Sequence, residues 1–421
     1  MRQPKLLTTI KTYSWSLFAQ DLLAGATVAM VALPLSLAIA IASGADPAKG
    51  LITAIVAGFM ISLLGGSRVQ IGGPTGAFIV VVFGVIADHG YDGLVLATFM
   101  AGIILLVAGY FRAGNLIAFV PEAVVNGFTI GIGIIIASSQ LKDFFGLAVE
   151  KVPADFLEKI PTLWAARETM GLAPIAIAIV TLVLIVALRR IAPRFPGLIV
   201  AVGIGSALVV FLSLPVDTLG SRFGELPSQL PWPELPDFSL SRIVELLPSA
   251  FVIAFLAAVE SLLSAMVADK MIDGHHRPNA ELSAQGVANL ASALFTGLPA
   301  TGAIARTATN IKAGGKTPVA GIVHAAVILL VMLLAAPLAS YLAMPALAAL
   351  LVITAWNMTE PHKWADYARG RKSDIFLLVL TLVLTVIVDL TVAISVGVSI
   401  GFALRLKRRK SVESDWTPPD R

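Results

Sequence analysis

Apolar runs follow one another along nearly the whole chain, each closed by a short cluster of Gly, Pro or charged residues. The pattern predicts fourteen apolar helical elements. In the first half they are 22–44, 48–65, 75–87, 92–111, 121–137, 172–190 and 196–214; in the second, 246–268, 284–297, 303–312, 317–336, 346–357, 373–388 and 389–405. A helix needs about 17–25 residues to cross a bilayer, so most of these read as membrane spans. Two do not. Element 75–87 follows the break Gly72-Gly73-Pro74-Thr75-Gly76, and element 303–312 follows Pro299-Ala300-Thr301-Gly302. A pair of broken spans in corresponding positions is the best sequence pointer to a transporter's solute site.

Composition narrows the class. The chain is 57% apolar and only 13% charged, against roughly 25% charged residues in a soluble domain. That deficit leaves too few polar faces for a soluble α/β protein with buried strands. The 35 glycines and 24 prolines fit membrane helices whose freed backbone groups are satisfied by neighbours or by an aqueous cavity. With no cysteine, disulfides, thiolate catalysis and cysteine-ligated metals are excluded. Residues 1–20 lack the apolar core and small-residue cleavage site of a signal peptide, so the first span serves as the insertion signal.

The net charge of +4 is explained by topology rather than by nucleic acid. Loops after even-numbered elements carry Arg68, Arg112, Arg189, Arg190, Arg194, Lys270, His275, His276, Arg277, Lys312, Lys316, Lys363, Arg369, Arg371 and Lys372. The tail adds Arg405, Lys407, Arg408, Arg409 and Lys410. The opposite loop 215–245 is acidic, with Asp217, Glu225, Glu234, Asp237 and Glu245. The positive-inside rule then puts both termini in the cytoplasm, as an even number of crossings requires. Seven spans per half force opposite orientations on the halves. The predicted organisation is a cytoplasmic N-terminus 1–21, a first repeat 22–214, an extended extracytoplasmic linker 215–245, a second repeat 246–405 and a cytoplasmic tail 406–421. Pro34 lies 40 residues before Pro74, and Glu260 lies 41 before Thr301, which supports an internal repeat.

The breaks carry the candidate chemistry. A helix that starts inside the bilayer presents unsatisfied backbone N–H groups and a positive partial charge, a ready site for an anion. Pro74 suits a helix start, and Thr75 and Thr301 offer hydroxyl donors. Gly72, Gly73, Gly76 and Gly302 allow close backbone approach, and Ala303 completes the expected anion-binding set. If the halves pack together, the two helix ends face one small anion. Arg306, one turn into the second short helix, adds a full positive charge; an intramembrane Arg is functional by default. Glu260 lies in the apolar segment Phe255–Ser264. Proton uptake there would remove repulsion toward an incoming anion and so link proton to anion binding; the alternative is a static Glu260–Arg306 pair.

Other polar residues read as structural. Asn126, Gln285 and Asn289 are expected to cap or bridge helices, with glycines 127, 131 and 133 marking close packing. Ser264 reads as a packing residue and Asp389 as a helix cap. His275 and His276 lack fixed carboxylates, so no metal site is expected. Gly314-Gly315-Lys316-Thr317 does not complete a nucleotide-binding signature, and no nucleophile, base and orienter recur together as an enzyme would need. No cofactor is implied.

Several segments together resemble the SulP family of anion transporters, related to the SLC26 carriers. They are Asp21-Leu-Leu-Ala-Gly with Ala32-Leu-Pro34, Gly73-Pro-Thr-Gly76, Pro121-Glu-Ala-Val-Val-Asn-Gly-Phe128, Glu260-Ser-Leu-Leu263 and Gly302-Ala-Ile-Ala-Arg-Thr-Ala-Thr-Asn310 leading to Gly315-Lys-Thr317. The resemblance implies an all-α polytopic membrane protein with fourteen transmembrane segments in a 7+7 inverted repeat. Helices 3 and 10 would be short half-helices, as in the UraA-like and SLC26 transporters. A core domain, 22–111 plus 246–336, would slide against a gate domain, 121–214 plus 346–405, in a homodimer. The first span would add Pro34, Leu35 and Ser36 to the anion site. Two departures bear on mechanism. Many relatives have Pro-Gln and a Tyr in the first span, where this chain has Pro34-Leu-Ser-Leu-Ala-Ile39. Sodium-coupled bicarbonate carriers of the family have Asp where Glu260 stands and Thr near Ile304, which weakens sodium and favours a proton or no coupling here. The expected solute is bicarbonate, sulfate or a dicarboxylate, taken up across a bacterial inner membrane. The alternatives are sodium-coupled uptake, anion exchange, channel-like conduction and nucleobase:proton symport. No cytoplasmic STAS domain follows the last span in this sequence, either because the member is naturally short or because the chain is a piece of a longer protein.

Overall fold

The computed structural model describes residues 3–115, 121–149, 152–153, 155–192, 196–388 and 390–407. Arg194, Asp389 and the basic run Arg408–Lys410 lie outside them. Helix starts follow their local chemistry. A short helix α1 (Lys5–Thr9) precedes α2 (Trp15–Ala42), whose cap Ser14 accepts from the Leu17 N–H. Helix α3 (Pro47–Leu64) combines an Asp46 cap with Pro47 in its first turn, where proline's missing N–H costs nothing. A two-residue strand β1 (Gly72–Gly73) and a 3₁₀ turn (Gly76–Phe78) lead into α4 (Ile79–Tyr110). α4 is broken at Gly90, whose φ of 72° and ψ of 177° are not helical. That break separates the predicted elements 75–87 and 92–111.

The first half continues with α5 (Glu122–Phe145), α6 (Phe156–Ala165), α7 (Leu172–Ile191) and α8 (Gly197–Phe211). A short α9 (Leu219–Phe223) follows, and residues 224–239 then run without helix or strand, as expected of the Pro-rich linker. The second half contains α10 (Leu240–Ile272), α11 (Pro278–Leu294), β2 (Thr301–Gly302), α12 (Ile304–Lys312) and α13 (Val319–Ala339). It closes with α14 (Met344–Met358), α15 (Trp364–Arg369), α16 (Lys372–Ile387) and α17 (Leu390–Lys407).

Among the described residues, seven helices are long and apolar enough to cross a membrane. Helix α7 is apolar all round yet mostly exposed, the pattern of a lipid-facing helix. Several predicted edges move: α2 begins at Trp15 rather than 22, α10 at Leu240 rather than 246, and α5 and α11 also extend. α5 runs two turns past 137, through Ser138, Gln140 and Lys142, until Gly146 stops it in the left-handed conformation. α11 begins at Pro278, not 284, because Asn279 and Glu281 are buried inside the protein rather than exposed in a loop.

The helices pack in two groups. In one, α2, α3 and α13 pack together, α4 lies against α10 and α11, and α12 sits on α10 and α2. In the other, α5 packs on α14 and α16, with α7, α8 and α17 around them. Small residues set the closest approaches. Gly102 of α4 and Gly286 of α11 face each other's carbonyls, and Gly127 and Gly131 of α5 lie against Leu378 and Thr385 of α16. Asn126, expected to bridge helices nearby, makes no hydrogen bond among the described residues.

Candidate functional site

The two breaks meet. β1 and β2 pair antiparallel, Gly72 opposite Gly302 and Gly73 opposite Thr301, so the starts of two helices from opposite halves are tied at one place. The register continues into α12: the Ala303 N–H donates to Ile71 O at 2.9 Å, the Ile71 N–H donates to Thr307 Oγ1 at 3.1 Å, and Asn310 Nδ2 donates to Val69 O at 2.8 Å. Positions 303, 307 and 310 recur at helical spacing, so one face of α12 grips the chain entering the first break.

Arg306 lies on the adjacent face and is only 1% exposed. Its Nη2 donates to Ser36 Oγ and to Pro74 O, both at 3.1 Å, while Nε and Nη1 have no partner. A Cβ on Gly73 would run into Nη1, and Gly73 has φ 150°, so both the space and the backbone require glycine there. A buried guanidinium with two open donors retains its attraction for an anion.

Glu260 is partly buried on α10 and accepts from Thr75 Oγ1 at 2.8 Å. No ion pair joins it to Arg306 among the described residues, so the static Glu260–Arg306 pair is not formed: Arg306 bonds to Ser36 and Pro74 instead. The two threonines also differ. Thr75 reaches the carboxylate, whereas Thr301, fully buried, donates to Ala257 O at 2.8 Å. Thr301 is therefore not the free hydroxyl donor expected of it. Of the first-span residues, Ser36 touches Arg306; Pro34 and Leu35 are buried in the packing around it. Gly76 faces Met358 and Ile136 of the other helix group. Ala303 is buried just before α12, whose first residue, Ile304, is 43% exposed.

A second polar cluster escaped the sequence reading. Glu281, fully buried, accepts from the N–H groups of Gly66 and Ser67, from Ser261 Oγ and from the amides of Gln70 and Gln285. Gln70 also donates to Ser261 Oγ at 2.8 Å and fills the space beside Gly302, where a Cβ would strike its amide. This carboxylate thus braces the chain entering the first break and the residue after Glu260, and through Gln70 it backs Gly302 of the second break. His324, buried on α13 with both ring nitrogens unpartnered, was missed as well. The rule that flagged Arg306, an ionisable residue inside a span, also flags these two.

Structural readings elsewhere mostly hold. Asn289 clamps Ala300, donating to its carbonyl and accepting from its N–H, both at 2.9 Å. Ser264 donates to Thr307 Oγ1. Lys316 and Thr317 bond to Asp21, which fixes the segment before α13. His276 is a correction: its Nδ1 lies 2.6 Å from Asp269 Oδ2, so it does have a fixed carboxylate, in a pair that holds the turn after α10.

Comparison with known proteins places the chain in a family. The chain matches the sulfate permease family over residues 18–381. It is 44% identical to YvdB of Bacillus subtilis (strain 168) over 372 residues, 88% of this chain and 70% of that protein. It is 33% identical to the bicarbonate transporter BicA of Picosynechococcus sp. over 338 residues, 78% of this chain but 59% of BicA. The solved transmembrane domain of a cyanobacterial BicA superposes with a TM-score of 0.81 at 31% identity, covering 90% of this chain and 98% of that one. The inward-facing structure of murine Slc26a9 shares the fold, with a TM-score of 0.86 at 19% identity, over 97% of this chain and 72% of that one. The chain is an integral membrane protein of a transporter class, not an enzyme, and it belongs to the sulfate permease family.

Proposed function

We propose that this chain carries a small oxyanion, bicarbonate or sulfate, across the cytoplasmic membrane by proton-coupled secondary transport. The observation that carries the reading is one hydrogen-bonded cluster, Glu260–Thr75 beside Pro74–Arg306–Ser36, built where two helices begin. The open N–H groups of the two helix starts and the Arg306 charge attract the anion. Gly73, Pro74, Thr75 and Gly76 form one wall, and Gly302, Ala303 and Arg306 the other. Relatives named for sulfate and bicarbonate support an oxyanion over a nucleobase.

Thr75 is the hinge of the coupling. Its hydroxyl donates to Glu260. Protonating Glu260 removes a negative charge from beside the anion and lets Thr75 turn to the solute. Each ligand then favours the other. Sodium fits less well, because Ile304 offers no oxygen at the start of α12.

The two helix groups correspond to a core, with α2–α4 and α10–α13, and a gate, with α5, α7, α8, α14, α16 and α17. Movement of the core past the gate carries the site between the membrane faces, within fourteen segments arranged as a 7+7 inverted repeat. Both termini are cytoplasmic and the working unit is a homodimer. The test is uptake of radiolabelled sulfate and bicarbonate into proteoliposomes, with pH and sodium varied independently. An inward proton gradient should drive accumulation, and Glu260→Gln should abolish accumulation while sparing exchange. Sodium-driven uptake indifferent to pH would overturn the coupling.

A further inference from the structure

Away from the paired breaks, a cleft of 240 Å³ opens between the two helix groups. Ile79 and Phe83, in the first turns of the helix that leaves the first break, line one side. The other side carries Lys142 and Asp143 from the end of α5, Lys159 from α6 and Arg222 from α9. Three cations against one carboxylate leave the lining positive.

The pairing inside the cleft sharpens that excess. Arg222 is held by Asp143 at 2.7 Å and by Asp217 at 3.0 Å, so the only carboxylate of the described lining is already committed. Asp155, one turn before Lys159, caps α6 by accepting from the Leu157 N–H, and no ion pair joins Lys159 to its neighbour Glu158 among the described residues. Lys159 is 4% exposed, and no hydrogen bond or ion pair engages its ammonium among the described residues. Burial pushes its pKa down from the ordinary lysine value, with Asp155 pulling the other way. The Lys159 stem is buried while its ammonium, with no protein partner among the described residues, faces the cleft, where it attracts an anion.

We infer that this cleft is a second anion subsite, in which Lys159 holds one small oxyanion at the α6–α9 face of the protein. The inference rests on the reading of the chain as an anion carrier. The cleft abuts Ile79, one helical turn from Gly76, so an anion held there is positioned next to the central site. Positive lining in a narrow cleft concentrates anions and speeds their entry.

Equilibrium binding of radiolabelled sulfate to purified Arg306→Met protein isolates the subsite, because the central site then lacks its charge. Binding should persist in that variant and weaken about tenfold when Lys159→Met is added, the scale of one nearby charge lost. Lys159→Arg should keep it. No binding to the Arg306→Met protein, or equal binding with and without Lys159→Met, overturns the inference. Transport by the unaltered protein is read separately: sulfate binding without any anion uptake would sink the carrier reading and leave the subsite standing.

Discussion

The two breaks are equivalent by position in the halves and opposite in use. The second break is held mostly by its own half, Thr53 of α3 being the exception among its partners. Thr301 donates to Ala257, Asn289 clamps Ala300 from both sides, and Leu298 is held by Thr53 and Ser292. The first break is held instead by the charged residues of the other half, Pro74 by Arg306 and Thr75 by Glu260. One break is thus a frame and the other is the working edge. In the proposed mechanism, a repeat with two identical edges would hold an anion without sensing a proton. The asymmetry gives the working edge a group that can change partner.

The comparison breaks most completely at Arg306, which bridges the halves. Arg306→Met should lower sulfate or bicarbonate affinity at the central site about a hundredfold or more, as expected when a buried charged donor is lost. Unchanged affinity in a binding titration would remove Arg306 from the site. Glu281→Gln tests the frame. It puts an amide donor among five groups that already donate, so affinity should fall about tenfold, with a lower melting temperature. Gln70→Glu added to it lets residue 281 donate to residue 70 and should recover much of both. Failure of the pair to recover would limit Glu281 to general packing.

Gly73→Ala and Gly302→Ala separate edge from frame more finely. The first pushes on Arg306 and should cost affinity about fivefold to tenfold. The second pushes on Gln70 and should mainly reduce thermal stability. The smallest contrast is between the threonines. Thr301→Val should cost about 1 kcal/mol of stability, the worth of one hydrogen bond, with transport intact. Thr75→Val should leave stability nearly unchanged and alter the pH dependence of uptake. If the two variants behaved alike in a melting curve and a pH profile, the division of labour would be wrong.

Much of this was legible in the residues. The apolar runs marked the helices, and Gly-Pro-Thr-Gly and Thr301-Gly302 marked where two of them begin inside the protein. Arg306 and Glu260 stood out because charge is costly in an apolar segment. Glu281 and His324 obey the same logic but were hidden. Glu281 sits near the polar stretch 273–279, which reads as a loop, and His324 is a neutral-looking residue in a long apolar run. The edges of α5 and α11 moved for a related reason: polar side chains satisfied by distant partners look, in one dimension, like the end of a helix.

The sequence by itself determined that the chain belongs in a membrane, where its helices lie and which two breaks carry polar groups. Those follow from local hydrophobicity and backbone chemistry, which act within a few residues. Only the tertiary structure decided which hydroxyl is free to serve and which is spent, and that Arg306 pairs with Ser36 and Pro74 rather than with Glu260. Hydrogen-bond partners 185 to 270 residues apart are set by how the two halves pack, and no local pattern encodes that choice.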